Sequence, residues 1–258
     1  MWEKELKAAI EAGLAAQIEI MKIYKEGFDV EIKDDQSPVT LADRHADEII
    51  RAMLHKAFPS YAFLTEESDD DLARLDKDLV WIIDPVDGTK DFVAKNDEFT
   101  TNIALSYKHQ AVLGVIVIPA QNEYYYAVKG LGSFHVKNGV SQRIHVNEKT
   151  TDLTMLTSRF HFNDNEKAIL QKYPTRITHR ETYGSSIKAC RIAEGLAEVS
   201  YRLSAGTKEW DTAASQIIVE EAGGLFVQPD GVPLVYNRVD VYNRAGYVIV
   251  NRRENILL

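Results

Sequence analysis

Asp84 and Asp87 stand three residues apart after an apolar run, with Pro85 between them and Gly88 and Thr89 immediately following. Two carboxylates in one tight turn repel, and a cation between them relieves that repulsion; Mg²⁺ takes one or two carboxylates together with carbonyl, water and phosphate oxygens. Pro85 stiffens the turn, and Gly88 lets the backbone approach a ligand closely. If a helix starts here, the amides of Gly88 and Thr89 face an anion, so metal and phosphate share one loop. An ordinary strand-to-turn corner has the same composition, because Asp, Pro and Gly are common turn residues. On the turn alone both readings stand.

Other carboxylates shift that balance. Glu66 and Glu67 end an apolar stretch some way upstream, and Asp211 follows Trp210 at the head of a largely apolar segment. Buried acids need partners. Each also has a plainer reading: Asp211 as a helix-start acid favoured by capping and the macrodipole, and Glu66 and Glu67 as part of a solvated acidic loop with Asp69, Asp70 and Asp71, the reading that holds for the three aspartates.

The elements that must position these residues follow from periodicity. Leu6, Ile10, Leu14, Ile18 and Met21 recur at helical spacing and predict a first helix closing before Gly27; Leu41 to Phe58 predicts a second, ending at Pro59. Leu79 to Ile83 is too short for a helix and predicts a strand stopping at Asp84. Thr101 to Tyr107, Ala111 to Ile118 and Glu123 to Val128 are rich in β-branched and aromatic residues, with short polar turns between, and predict an antiparallel meander. After the polar segment 147–152 come a strand near Leu153 to Thr157 and a helix near Asn165 to Lys172. Ser185 to Glu194 then reads as a helix, Leu196 to Arg202 as a strand, and Asp211 to Ala222 as a helix stopped by Gly223 and Gly224. Leu225 to Val227 and Tyr247 to Val250 are the last strands. The expected division is an N-terminal lobe, 1–148, carrying most of the acids, and a C-terminal lobe, 149–258, carrying Asp211.

A chain of 258 residues can bury a substantial core, and its 45% hydrophobic and 27% charged residues match globular usage. The net charge of −9 argues against a nucleic-acid polymer as partner, since that needs clustered Lys and Arg. A small anion remains compatible, because bound cations invert the local field of a cleft. The apolar stretch Ala111 to Ala120 is far too short to span a membrane, and the charged N-terminus does not read as an export signal. A single cysteine, Cys190, gives no internal disulfide and no CxxC motif, which fits a reducing cytoplasm, with peripheral membrane association left open.

Glu66 and Glu67, the run DPVDGTKDF from Asp84 to Phe92, and the run WDTAASQIIVEEAGG from Trp210 to Gly224 resemble, in order and spacing, the signatures of the inositol monophosphatase superfamily. SPVTLAD (Ser37 to Asp43), GTKDF (Gly88 to Phe92), the SRxH stretch holding Ser158, Arg159 and His161, and GSSIK (Gly184 to Lys188) are similar to its bacterial 3'(2'),5'-bisphosphate nucleotidase branch. Two positions depart: Ser215 stands where the family usually has Gly, and Asp91 where the branch more often has Glu.

The resemblance implies a layered αβαβα sandwich of mixed α/β class and two or three Mg²⁺ ions. Glu66, Asp84 and the Val86 carbonyl would hold one ion, and Asp84, Asp87 and Asp211 a second, with Asp84 bridging. Glu66, Thr89 and Asp43 would be catalytic, Thr89 orienting the attacking water and Asp43 accepting its proton. Asp87, Gly88, Thr89 and Asp211 would also meet the substrate, while Ser158, His161, Gly184 and Lys188 would contact nucleotide phosphate and base. The implied substrate is a small phosphorylated molecule, adenosine 3',5'-bisphosphate; the alternative is an inositol or fructose 1,6-bisphosphate phosphatase. Lithium sensitivity and a homodimer are further expectations from the same resemblance.

Overall fold

The computed structural model describes residues 1–32 and 38–258. In chain order the elements are α1 (Glu3–Glu26), β1 (Val30–Ile32), β2 (Pro38–Thr40), α2 (Leu41–Ala57), β3 (Ala62–Thr65), β4 (Leu79–Asp87), α3 (Thr89–Val93), β5 (Thr100–Tyr107), β6 (Gln110–Ile118), β7 (Glu123–Val128), β8 (Gly132–Lys137) and β9 (Val140–Ile144). There follow β10 (Leu153–Ser158), α4 (Asp164–Lys172), β11 (Ile177–Tyr183), α5 (Ile187–Ala193), β12 (Val199–Arg202), α6 (Glu209–Glu221), β13 (Leu225–Val227) and β14 (Tyr247–Val250).

Strands β3 to β9 form one seven-stranded sheet in sequence order, antiparallel except for the β3–β4 pair. The second sheet has five strands in the order β11-β10-β12-β14-β13. Strand β4 shows how five layers arise from sequence. Successive side chains of a strand alternate faces. Trp81 and Ile83 pack with Ala12, Ala16 and Ile20 of α1 and Ile50 of α2. Val80 and Ile82 pack on the opposite face with Ile187 of α5 and Ile217 of α6, and Phe226 and Ile249 of the second sheet join that same core. The outer face of the second sheet buries Met155, Val199 and Val248 against Ile169 of α4. Strands covered on both faces are buried along nearly their whole length, so Leu79 to Ile83 of β4 and Ala111 to Ile118 of β6 read as hydrophobic runs, while β5 also buries Thr100, Thr101, Asn102 and Ser106. The layers are therefore α1 and α2, seven strands, α5 and α6, five strands, α4: the αβαβα sandwich.

The expected meander is present and is longer than expected, since β8 and β9 continue it. The boundary at 148/149 falls between the two sheets, yet α6 packs on the first sheet, so the two halves share one core. Gly114 of β6 permits this approach: a Cβ there would lie 2.6 Å from Ile217 Cγ2 and 2.8 Å from the Ala214 carbonyl oxygen of α6. No described helix is long and apolar enough to cross a membrane.

Candidate active site

Strand β4 does not stop at Ile83 but runs on through Asp87. Its pairing with β5 shifts register between Asp84, opposite Asn102, and Asp87, opposite Thr100, so β4 holds one residue more than its partner. This is a β-bulge, and it decides the chemistry. Three residues apart on a regular strand, Asp84 and Asp87 would point to opposite faces. With the extra residue, Val86 turns into the α1/α2 core, and Asp84 and Asp87 reach the same side. Thr101 Oγ1 donates to the Pro85 carbonyl at 2.8 Å, which fastens the bulge.

On that side Asp211, in the first turn of α6, completes the group: carboxylate oxygens of Asp84, Asp87 and Asp211 all lie within 4.8 Å of one another. Glu66, one residue beyond β3, lines the same cleft. Burial, followed by the charges of Glu66, Asp87, Asp211 and Asp43, pushes the Asp84 carboxyl well above the usual range. Burial and then Asp87 and Glu66 push Asp211 up to about 8. Asp84 Oδ1 is buried and has no hydrogen-bond partner among the described residues. Mutually repelling acids converging around an orphaned oxygen fit a hard divalent cation with an oxygen ligand set.

Asp87 is held from the other half of the chain. Its Oδ2 accepts from Ser186 Oγ at 2.7 Å, at the start of α5, and from Asn102 Nδ2 of β5 at 3.2 Å. Gly88 follows with φ 88°, a left-handed conformation open to glycine, and a Cβ there would stand 3.1 Å from Ser185 Cβ. Helix α3 begins at Thr89. Thr89 Oγ1 lies 3.2 Å from both Asp43 Oδ1 and the Val86 carbonyl oxygen. Asp43 divides its work: Oδ2 accepts from Thr40 N at 2.8 Å and Thr40 Oγ1 at 2.7 Å to cap α2, while Oδ1 meets Thr89. Its helix-capping role and its approach to Thr89 thus coexist on separate oxygens.

The cleft, about 470 Å³, has a cationic wall as well. Ser158, His161 and Lys188 line it, together with Lys90 and Arg202. Lys188 is buried rather than solvated, donating to the carbonyls of Ser185 at 2.6 Å and Tyr183 at 3.3 Å, and burial lowers its pKa. Crowding of its ring and then the charges of Arg202, Lys90 and Lys188 hold His161 down at about 4. The His161 residue as a whole is exposed at the edge of the cleft.

Gly184 is not part of the cleft wall. Its N–H donates to Glu98 Oε2 at 2.7 Å, and a Cβ there would lie 2.5 Å from Asp91 Cγ, so it serves close packing. Asp91 in turn is engaged by Asn96 Nδ2 at 2.6 Å. Ser215 lies in α6 and also lines the cleft. The acidic loop is not simply solvated: Asp70 grips the buried Arg74 guanidinium at 2.7 Å, and Arg74 reaches Asn237 Oδ1 at 2.8 Å. Ser37 lies outside the described residues. Ser186 lies inside GSSIK and Lys90 inside GTKDF without a contact assigned to either from sequence, whereas Asn102 and Arg202 lie in strands with no motif around them.

The sequence matches the inositol monophosphatase family profile over residues 1–255. The chain belongs to the inositol monophosphatase family. It is 35% identical over 231 residues to the 3'(2'),5'-bisphosphate nucleotidase CysQ of Escherichia coli K12, covering 88% of this chain and 92% of that protein. The CysQ of Salmonella typhimurium is 34% identical over 250 residues, 96% of this chain and 98% of the relative. Among solved structures, CysQ from Bacteroides thetaiotaomicron superposes with a TM-score of 0.83 at 34% identity, covering 98% of this chain and 99% of that one. The SuhB protein of Bartonella henselae superposes at 0.82 with 25% identity and 97% coverage of each chain.

Proposed function

We propose that this protein is a magnesium-dependent phosphomonoesterase that hydrolyses adenosine 3',5'-bisphosphate to AMP and phosphate. One observation carries the reading. Four buried polar atoms without hydrogen-bond partners among the described residues, Asp84 Oδ1, Ser185 Oγ, Thr207 Oγ1 and Arg202 Nε, belong to residues lining one cleft. Native interiors leave few such atoms unpaired. An acidic pole at one part of the cleft and a cationic wall at another match a ligand that brings both divalent cations and phosphate charge. The bisphosphate nucleotidases among its relatives favour a nucleotide as that ligand.

Glu66, Asp84, Asp87, Asp211 and the Val86 carbonyl would hold the ions. Bound there, Mg²⁺ supplies acidity to a water and neutralises charge on the phosphate and the leaving oxygen. The residues themselves do the rest. Thr89 has one hydroxyl proton; donating it to Asp43 leaves its lone pairs to accept from the attacking water and so to orient it. The proton that the water gives up passes to the Thr89 hydroxyl as Thr89 passes its own to Asp43, while the water oxygen bonds to phosphorus, the P–O bond to the ribose breaks, and the departing ribose oxygen takes a proton from solvent water. Ser186 and Asn102 hold Asp87 so that it can meet its ion and the phosphate without rotating.

The test is phosphate release from a panel of adenosine 3',5'-bisphosphate, 3'-phosphoadenylyl sulfate, inositol 1-phosphate and fructose 1,6-bisphosphate, with Mg²⁺, with EDTA, and with Mg²⁺ plus millimolar Li⁺. The expected result is Mg²⁺-dependent release, highest kcat/KM on the nucleotides, and inhibition by Li⁺. Faster release from inositol 1-phosphate would overturn the substrate assignment, and undiminished release in EDTA would overturn the metal assignment.

A further inference from the structure

Glu66 leaves the first sheet as soon as β3 ends. Thr65, paired with Ile83, closes β3, and the chain rejoins the sheet at Leu79, the start of β4. The segment between them carries Glu66 and Glu67 near one end and a single 3-10 turn, Ala73–Asp76, near the other. Asp211 arrives from the other half of the chain on α6. Without a cation Glu66 and Asp211 repel each other, so something must hold their two carriers together.

A buried polar network joins them. The Arg74 guanidinium, buried in the 3-10 turn, donates from Nε and Nη2 to Asp70 at 3.0 and 2.7 Å, from Nη1 to Asn237 Oδ1 at 2.8 Å, and from Nη2 to the Arg238 carbonyl at 2.9 Å. Asn237 Nδ2 donates back to the Arg74 carbonyl at 3.0 Å. The backbone N–H groups of Asn237 and Arg238 then donate to the two carboxylate oxygens of Glu209 at 2.6 and 2.9 Å. Glu209 is fully buried, opens α6, and stands two residues before Asp211. Asn237 holds φ 58°, a left-handed conformation uncommon outside glycine, and so serves Arg74 with its side chain and Glu209 with its backbone.

None of Asp70, Arg74, Asn237 and Glu209 lines the cleft, so the network is not a substrate contact. What it fixes is a distance. A planar guanidinium serves two partners at set angles, which the point charge of an ammonium does not. We infer that Arg74 is a positioning residue for the divalent cations: by joining the segment that carries Glu66 to the start of α6, it keeps Glu66 and Asp211 converged on one cleft against their repulsion. This rests on the proposed metal site and deepens it, since part of the cation affinity then belongs to a residue that touches neither ion nor substrate.

The experiment titrates EDTA-stripped protein with Mg²⁺ by calorimetry, well below the melting temperature, for wild type, Arg74→Met, Arg74→Lys, Asn237→Gly and Ile169→Val. Asn237→Gly keeps the left-handed backbone and the Arg74–Asp70 pair and deletes only the amide between the two segments, so it decides the matter if Arg74→Met fails to fold. Ile169→Val trims the packing of α4 on the outer face of the second sheet and is the variant destabilised elsewhere. The Mg²⁺ Kd is expected to rise about 10-fold in Arg74→Met and Asn237→Gly, the low end of the loss when support for a metal ligand is removed. Arg74→Lys should lose less, and Ile169→Val should bind as wild type. In turnover assays the half-saturating Mg²⁺ concentration should shift by the same factor, with kcat largely recovered at saturating Mg²⁺; a merely structural role would lower kcat and leave half-saturation in place. Wild-type Mg²⁺ affinity in folded Arg74→Met or Asn237→Gly, or an equal loss in Ile169→Val, would overturn the inference and leave the metal site standing. A wild type that binds no Mg²⁺ would overturn the metal reading, and the role of Arg74 with it.

Discussion

Asp211→Asn should make the metal-free protein more stable and the enzyme inactive. Asp211 is raised from an ordinary 3.8 to about 8, first by burial and then by Asp87 and Glu66. A group raised in the folded state contributes stability that is present below its unfolded value and is lost as pH rises through the folded one. Stability of the metal-free protein therefore falls between about pH 4 and pH 8. At pH 7 the solution lies about three units above the ordinary value, and at 1.36 kcal/mol per unit this costs about 4 kcal/mol. Asp211 keeps some contact with the water of the cleft, so screening leaves roughly half, about 2 kcal/mol. For a chain of this size that is about 4–8 °C in Tm. Asn retains an oxygen to accept from Lys208 N, so the helix start stays capped. Thermal melts in EDTA should show the variant above wild type by that amount at pH 7.5, with the gap closing toward pH 4. Added Mg²⁺ should raise wild type and leave the variant nearly unmoved. A variant that melts at or below wild type in EDTA at pH 7.5 would refute the picture of four acids held together against their own repulsion.

Two further outcomes are expected. Gly114→Ala drives a methyl into Ile217 and Ala214 of α6, an overpacking cost of about 1–3 kcal/mol; because α6 carries Asp211, denaturant unfolding and Mg²⁺ titration should both weaken, whereas a loss of stability with Mg²⁺ affinity intact would separate the packing from the site. His135, stacked on Tyr125, stands 2.9 Å from Glu194 and 3.4 Å from Glu123; burial opposes its charge, but these carboxylates raise it to about 9. Its contribution, up to about 3 kcal/mol, is full below pH 6.5 and lost as pH rises through 9, so His135→Gln should flatten the alkaline limb of the stability profile measured by urea unfolding.

What was legible in the sequence divides along physical lines. Helices α1 and α2 were legible because packing on one face imposes a helical period on their side chains, and strands β5 to β7 because their β-branched and aromatic residues stand between short polar turns. Strands β8 and β9 were missed although Asn138 and Gly139 make a hairpin signal between them, with Asn138 at φ 53° and Gly139 at φ 75°. Strand β9 is exposed over most of its length and so carries no alternation. Edge strand β11, ITHRETY, is likewise polar and mostly exposed, held in place by its parallel pairing with β10.

The acids of the site were legible for a different reason, since a carboxylate at the end of an apolar strand loses its water and must be compensated by a cation or by buried donors. Their joint orientation was not, because it depends on one extra residue in β4 relative to β5, and register is a property of two strands rather than one. The same holds for Ser186, Asn102 and Arg202. Each is an ordinary polar residue in its own segment, and each acquires a role only where a second segment brings an acid or an open cleft to it. Sequence motifs thus reveal groups that must be compensated, whereas the groups that compensate them emerge from the packing of α5 and α6 between two sheets.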